Sequence, residues 1–201
     1  DLVVRTLTHV EGMPLEAFQV GINWDFESFP DYLTMLEDRG LVPNVAAFIP
    51  HSPLRCFVMG ERAFECTATD SELEQMKKLV SEALKSGAIG FSSSTTEFHN
   101  GEGGRPVPSR LADTKEFQAI LKSMSDVGLG VCMITRGSEM TVSELEDLYK
   151  ISHRPVIDSG LLIDEGNPSR VKDAFTDIES AQRRGNKLFG QVGCLPITME
   201  F

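Results

Sequence analysis

The chain has 201 residues, of which 41 % are hydrophobic and 24 % charged, as is typical of a folded globular domain. Its formal net charge of -11 argues against nucleic acid or an anionic membrane surface as a partner, because both are negatively charged. No apolar run reaches the roughly 20 residues of a membrane-spanning helix. We therefore expect a single domain whose substrate is a small molecule.

Five short apolar runs recur along the chain, at 44–51, 88–94, 130–136, 155–163 and 188–192. Each gap between them is long enough for a helix, which predicts an α/β fold: a parallel sheet with right-handed crossover helices. Functional side chains of such folds lie at the carboxyl ends of the strands. The residues at those ends are His51, Ser94, Arg136 and Asp164.

The predicted helices have recognisable start and stop signals, such as a capping box at 141–144 and a glycine after the last apolar position. A short helix and an irregular segment are expected within 1–24, and an apolar turn followed by a loop is expected between the first strand and Thr69. The longer helices are predicted at 28–40, 69–87, 114–127, 141–151 and 167–185.

The longest irregular stretch, 95–112, is rich in glycine and proline and contains His99. Loops of this length in compact domains are often functional, which makes it a candidate lid or substrate loop. Its Gly-Glu-Gly-Gly run is not followed by Lys-Ser or Lys-Thr at a helix start, which disfavours a phosphate-binding loop.

The four cysteines, at 56, 66, 132 and 194, lie far apart and form no CxxC pair. This spacing disfavours both a disulfide framework and a structural zinc site. Cys132 and Cys194 fall in or beside apolar runs, where a free thiol packs as a small apolar group. The sequence thus favours free thiols, a reducing compartment and a cytoplasmic location.

The polar residues at the strand ends suit the binding of an anionic small molecule, with Arg55, Arg105 or Arg136 contacting a carboxylate. Nucleophilic catalysis by Ser92, Ser93 or Ser94 is disfavoured, because the second glycine of a nucleophile elbow is missing and His51 is the only candidate base nearby. Four scattered histidines without paired spacing also disfavour a metal site built from this chain alone.

Three motif blocks, at 21–33, 44–60 and 82–92, occur in an order that resembles the N-acyl-D-amino-acid deacylase branch of the amidohydrolase superfamily. The similarity continues through Pro106-Val107-Pro108 and Gln191-Val192, so it covers nearly the whole chain. The resemblance implies a D-aminoacylase-like (β/α)₈ barrel hydrolase that removes acyl groups from D-amino acids with a zinc-activated water.

Two departures from the family pattern concern the metal site. The position of a metal-binding histidine on the third predicted strand is Ile134, and that of the Ser-His histidine on the fourth is Gly160. The lysine expected two residues further on is Leu162. The remaining family ligands fall before or after these residues, so the zinc that the resemblance implies is in doubt for this chain.

These observations predict a partial TIM barrel with about five of the eight strands that a complete barrel has, a central segment of a longer amidohydrolase. Its open sheet edges are expected to pair with a second copy in a homo-oligomer, or with barrel segments of another chain. The alternatives are a catalytically inactive fragment that acts through assembly, and a metal-free serine esterase. The site residues predicted are His51 as catalytic, and Arg55, Ser94, His99 and Arg136 as substrate-binding.

Overall fold

A computed structural model describes residues 2–163 and 167–193 of the chain. Strands and helices alternate from the first strand onward, after three N-terminal helices. The elements are α1 (Leu2–Val10), α2 (Leu15–Gly21), α3 (Phe29–Arg39), β1 (Phe48–Pro50), α4 (His51–Met59), α5 (Asp70–Ser86), β2 (Gly90–Ser94), α6 (Thr114–Val127), β3 (Val131–Thr135), α7 (Val142–Ser152), β4 (Val156–Ser159), α8 (Ser169–Arg183) and β5 (Leu188–Gly190).

The five strands form one sheet in the order β1-β2-β3-β4-β5, and every neighbouring pair is parallel. Sequential parallel strands require crossover connections, and the helices between them supply these. The prediction of a parallel α/β sheet with crossover helices is therefore confirmed.

The register of the strands assigns each side chain to one of two faces, because side chains alternate along a strand. One face packs against the helices, and we call it the helix face. Its central row of Phe91, Cys132, Val156 and Leu188 is at most 1 % exposed. This row and the apolar sides of α5, α6 and α7 form the hydrophobic core.

The opposite side of the sheet, which we call the open face, is less covered. Its central register row joins Pro50, Ser92, Met133, Ile157 and Phe189, one residue from each strand. Phe189, at the end of this largely apolar row on the edge strand β5, is 47 % exposed. In the described residues, β1 and β5 each have one neighbouring strand, so both edges of the sheet are open.

The segment after β1 differs from the sequence prediction of an apolar turn and a loop. It forms α4 and then a 3₁₀ turn at Gly60–Phe64, so the prediction was wrong here. Pro53 lies in the first turn of α4, where its missing N–H has no helical partner to lose. Leu54 and Met59 are buried on the side that faces the sheet. As a consequence, His51 begins a helix and does not end a strand.

The fourth strand is shorter than the predicted run of 155–163. It ends at Ser159, because Gly160 adopts a φ of 79° in the left-handed region that breaks an extended strand. The helices predicted at 69–87, 114–127 and 141–151 are confirmed, and Thr69 and Thr141 both form capping boxes. None of the helices in the described ranges is long and apolar enough to cross a membrane.

Candidate active site at the strand ends

A cavity of about 250 Å³ lies at the carboxyl ends of β1, β2 and β3. Helix α1 covers it with apolar side chains that include Val3 and Leu7. The sheet side carries hydroxyl groups, mainly from 92–94 at the end of β2. Within the described residues, no arginine or lysine lines the cavity, whereas the carboxylate-bearing Glu11 does. The cavity is therefore suited to a small and largely uncharged group.

Two of the predicted site residues, Ser94 and His99, meet in this cavity. Ser94 Oγ lies 2.7 Å from His99 Nδ1, a short hydrogen bond between a hydroxyl and an imidazole. The loop that carries His99 is held in place by Arg110, which donates to the His99 carbonyl at 3.3 Å. Ser109 Oγ donates to the Ser94 carbonyl at 2.9 Å, which fixes the end of β2.

A second serine-histidine pair lies beside the first, on the helix face of the sheet. His51 Nδ1 is 2.8 Å from Ser93 Oγ, and His51 Nε2 is 2.7 Å from Glu116 Oε1 on α6. The other oxygen of Glu116 pairs with Arg55, which also donates to the Cys66 carbonyl at 2.7 Å. We call this chain of contacts, Ser93-His51-Glu116-Arg55, the buried relay.

The electrostatics of the buried relay define its protonation state. Burial lowers the pKa of His51, and the nearby Glu116 opposes this only in part. Burial would raise the pKa of Glu116, but the hydrogen bonds and charges of His51 and Arg55 outweigh it, so that pKa is lowered. A neutral imidazole therefore donates from Nε2 to a carboxylate, and Nδ1 accepts from the Ser93 hydroxyl.

The buried relay is closed to solvent. The side chains of His51, Arg55 and Glu116 are all 0 % exposed, and the imidazole packs between the rings of Phe91 and Phe117 at 5.0 and 5.3 Å. Both ring nitrogens of His51 are occupied by protein groups. The side chain predicted as catalytic can therefore act on a substrate only through Ser93.

The two predicted arginine contacts are placed away from the cavity. Arg55 lies in the interior against Glu116, where a substrate carboxylate does not reach it. Arg136 donates from Nε to Asp158 Oδ2 at 3.0 Å and from Nη1 to the Met140 carbonyl at 2.8 Å, and its Nη2 forms an ion pair with Asp158 Oδ2 at 3.0 Å. Both guanidinium groups hold parts of the protein together. Asp164, also singled out from the sequence, lies outside the described residues.

The positions that correspond to the family's metal ligands carry no donors. Ile134 is 0 % exposed and points to the helix face, and β3 turns Met133 and Thr135 to the open face instead. Gly160 has no side chain, and Leu162 is 52 % exposed. Across the described ranges, no group of three or more His, Cys, Asp or Glu residues could hold a metal ion. Zinc therefore does not fit the residues of this segment that the structure describes.

Comparisons with known proteins identify the relatives of the chain. No family model matches it. A D-aminoacylase of Alcaligenes xylosoxydans xylosoxydans is 30 % identical over 176 residues, which cover 85 % of this chain and 34 % of the relative. A solved D-aminoacylase structure concerned with a binuclear metal centre superposes with a TM-score of 0.67 at 27 % identity, over 82 % of this chain and 33 % of that one. Another, described as defining a novel subset of amidohydrolases, gives 0.66 at 26 % identity over the same shares.

This chain is homologous to the central part of the D-aminoacylases. The resemblance inferred from the motif blocks is confirmed, and so is the partial barrel, because the five strands and their helices match a part of the amidohydrolase barrel. The chain spans about a third of the length of these D-aminoacylases.

Sequence analysis missed Glu116 and assigned no separate role to Ser93. Glu116 looked like a surface residue of an amphipathic helix, and its backbone N–H is capped by Asp113 Oδ1 at 2.8 Å. Its contact with His51 spans 65 positions in the chain, and that of Ser93 spans 42. A period-two assignment of β2 to its two faces is the one sequence signal that separates Ser93 from Ser94.

Proposed function

We propose that the intact protein is an amidohydrolase that cleaves an acyl amide bond at the strand-end cavity. The observation that carries this proposal is the cavity at the carboxyl ends of β1, β2 and β3 in a chain homologous to D-aminoacylase. Enzymes with this barrel carry their catalytic residues at that end of the strands. An N-acyl amino acid, the substrate class that the name of the relative indicates, is the first to test.

The lining of the cavity supports a defined orientation of such a substrate. The acyl group fits against the apolar wall of α1, near Val3 and Leu7, and the amide lies against the hydroxyl groups of β2. Ser94 and His99 are the polar contacts for the amide. At about 250 Å³ the cavity lies just below the range of about 300–1,000 Å³ usual for ligand pockets, which favours a short acyl group.

The charged residues take supporting roles in this proposal. His51, with Glu116 and Arg55, fixes the start of α4 and the position of Ser93, and Arg136 fixes the end of β3 through Asp158. Because the cavity lining within the described ranges includes no cation, a substrate carboxylate has to be bound by residues outside them. The same holds for the ligands of any zinc in the intact enzyme.

The test measures whether the intact protein hydrolyses a panel of N-acetyl-D- and N-acetyl-L-amino acids. Release of the free amine is the readout. Metal content is measured on the same preparation, and the assay is repeated after dialysis against a chelator. Hydrolysis of any member of the panel supports the proposal, and selectivity for the D series brings the protein closer to its relatives. Absence of turnover across the panel would overturn it and favour a non-catalytic role in assembly with a partner chain.

A further inference from the structure

The pairing of Ser94 with His99 has the geometry of a nucleophile and its base, independent of the proposed amidohydrolase function. We propose that Ser94 is a nucleophile, that His99 is its general base, and that the pair hydrolyses small neutral acyl esters without a metal. The distance of 2.7 Å between Ser94 Oγ and His99 Nδ1 is within the range that proton transfer requires. This activity goes beyond amide cleavage and uses a cavity that the described residues form by themselves.

Accessibility of the base selects Ser94 over Ser93. The same imidazole that takes the proton from serine must later give it to the leaving group, so the substrate has to reach the ring. The His51 side chain is 0 % exposed, and both its nitrogens are bonded within the buried relay. His99 is partly exposed and lines the cavity, with one nitrogen bonded to Ser94. The pair formed by Ser94 and His99 is therefore the reactive one.

The environment of His99 suits a general base. Burial lowers the pKa of His99, which keeps the ring neutral and able to accept a proton at neutral pH. The carboxylate of Glu11 acts in the opposite direction and favours the protonated ring. Glu11 also lines the cavity, at the end of α1. It therefore stabilises the imidazolium that forms when Ser94 attacks.

Hydroxyl donors for the developing oxyanion lie beside Ser94. Thr135 on β3 is the direct register partner of Ser94, and Ser92 lies two residues before Ser94 on β2. All three side chains therefore share the open face. Both Ser92 and Thr135 line the cavity. Neither hydroxyl forms a hydrogen bond with another described residue, and each is free to donate to a bound carbonyl oxygen.

The reaction balances with water as the one co-substrate. Ser94 Oγ attacks the carbonyl carbon of the ester, its proton passes to His99, and the carbonyl oxygen becomes an oxyanion near Thr135. The bond to the leaving oxygen then breaks, and that oxygen takes the proton from His99 as an alcohol departs. Water attacks the acyl-Ser94 ester with His99 again as base, which releases the carboxylic acid and restores the serine.

The charge pattern selects the substrate class. Among the described residues, the cavity has the acidic Glu11 and no basic residue in its lining, so the lining offers no contact for a substrate carboxylate and favours a neutral substrate. A neutral ester with a short acyl chain meets the apolar side chains of α1 and the hydroxyl groups of β2. An alcohol or phenol also leaves more readily than an amine, so an ester makes smaller demands on a two-residue centre than an amide does.

The experiment uses the intact protein, p-nitrophenyl acetate and a fluorophosphonate probe, with and without a chelator. We expect ester hydrolysis that survives the chelator, and phosphonate attached to the peptide that contains Ser94. Ser94→Ala and His99→Ala should each lower the hydrolysis rate by about 10²-fold or more, in line with the loss of a general base. Ser123→Ala, which changes a buried serine of α6 remote from the cavity, is the matched control.

The outcomes separate this inference from the proposed amidohydrolase function. Amide turnover without phosphonate labelling would overturn the Ser94 assignment and leave the proposed function intact. Labelling of Ser94 without amide turnover would support the Ser94 assignment and overturn the proposed amidohydrolase function. A label on Ser93 would overturn the choice between the two serines. Ser94→Cys, nearly isosteric, distinguishes loss of fold from loss of function: it should keep the thermal midpoint and lose phosphonate labelling.

Discussion

Glu116 is the side chain on which the charge balance of the interior depends. It is 0 % exposed and contacts both His51 and Arg55, so its carboxylate accepts a hydrogen bond from the neutral His51 and neutralises the charge of Arg55. Glu116→Gln would leave the guanidinium of Arg55 buried without a counter-charge. We expect a loss of about 3–5 kcal/mol in the free energy of unfolding, measured by urea titration of the intact protein.

Glu82→Gln is the control for this substitution, because Glu82 is exposed on α5 and has no side-chain contact with another described residue. Its effect should stay within about 0.5 kcal/mol, as for most surface substitutions. Equal effects of the two substitutions would show that Glu116 does not stabilise the buried charge of Arg55.

The buried relay also predicts how stability changes with pH. Folding lowers the pKa of His51 below the ordinary 6.5 because of burial, so below pH 6.5 the unfolded chain binds a proton that the folded chain does not. Stability should therefore fall with decreasing pH, by up to about 1.4 kcal/mol per pH unit for this one group. Glu116, whose pKa is lowered from 4.5, loses its contribution at still lower pH.

The measurement is the urea midpoint as a function of pH between 7 and 5, compared for the parent protein, His51→Gln and His9→Gln. His51→Gln should flatten the dependence, whereas His9→Gln, at an exposed position of α1, should leave it unchanged. An unchanged slope in His51→Gln would mean that other groups cause the acid sensitivity.

At the scale of single elements, β2 depends on a close approach to β3. A Cβ added at Gly90 would lie 1.9 Å from the carbonyl oxygen of Val131, a backbone atom that cannot rotate away. Gly90→Ala should therefore force the two strands apart. Overpacking typically costs roughly 1–3 kcal/mol, and we expect a destabilisation at or above the upper end of this range. The measurement is the shift in the urea midpoint.

Gly21→Ala is the matched control for the Gly90 substitution. Gly21 ends α2 with an ordinary negative φ, and a Cβ there meets nothing within 4 Å. It should leave stability unchanged or raise it slightly. A Gly90→Ala variant as stable as Gly21→Ala would contradict the register of β2 on β3.

At the scale of the whole molecule, the open face and the two open edges indicate further strands. Phe189 is 47 % exposed on the edge strand β5, at the end of a register row whose other members are largely apolar. We propose that this face is covered in the intact protein, by the remaining barrel strands or by a second copy of the chain. Unpaired parallel edges otherwise invite association.

Phe189→Asp tests this coverage. If the side chain packs inside a closed barrel, the substitution should cost about 3–5 kcal/mol, as core phenylalanine replacements do. Phe175→Asp is the control, because Phe175 has the same 47 % exposure but lies on α8 at the outside of the layer of helices. Similar small effects for both, by urea unfolding of the intact protein, would show that the open face stays in solvent.

The difference between predicted and observed elements has a local cause at α4. Its apolar positions at Leu54, Val58 and Met59 have helical spacing, but the sequence interpretation assigned them to a turn, and prolines stand at 50 and 53. Proline is tolerated in the first turn of a helix, so these prolines mark the start of α4 and do not exclude a helix. The helices at 69–87, 114–127 and 141–151 were predicted correctly because their N-terminal caps and apolar periodicity agree with each other.

The sequence by itself determined the alternation of strands and helices, the parallel sheet and the membership among relatives of D-aminoacylase, because hydrophobic periodicity and motif order are local properties of the chain. Only the tertiary structure decided that Arg55 and Arg136 are internal and that, of the two histidines paired with serines at the cavity, His99 is accessible while His51 is enclosed. Those outcomes depend on which face of a strand a residue occupies and on contacts up to 65 positions apart, where packing and charge compensation act together.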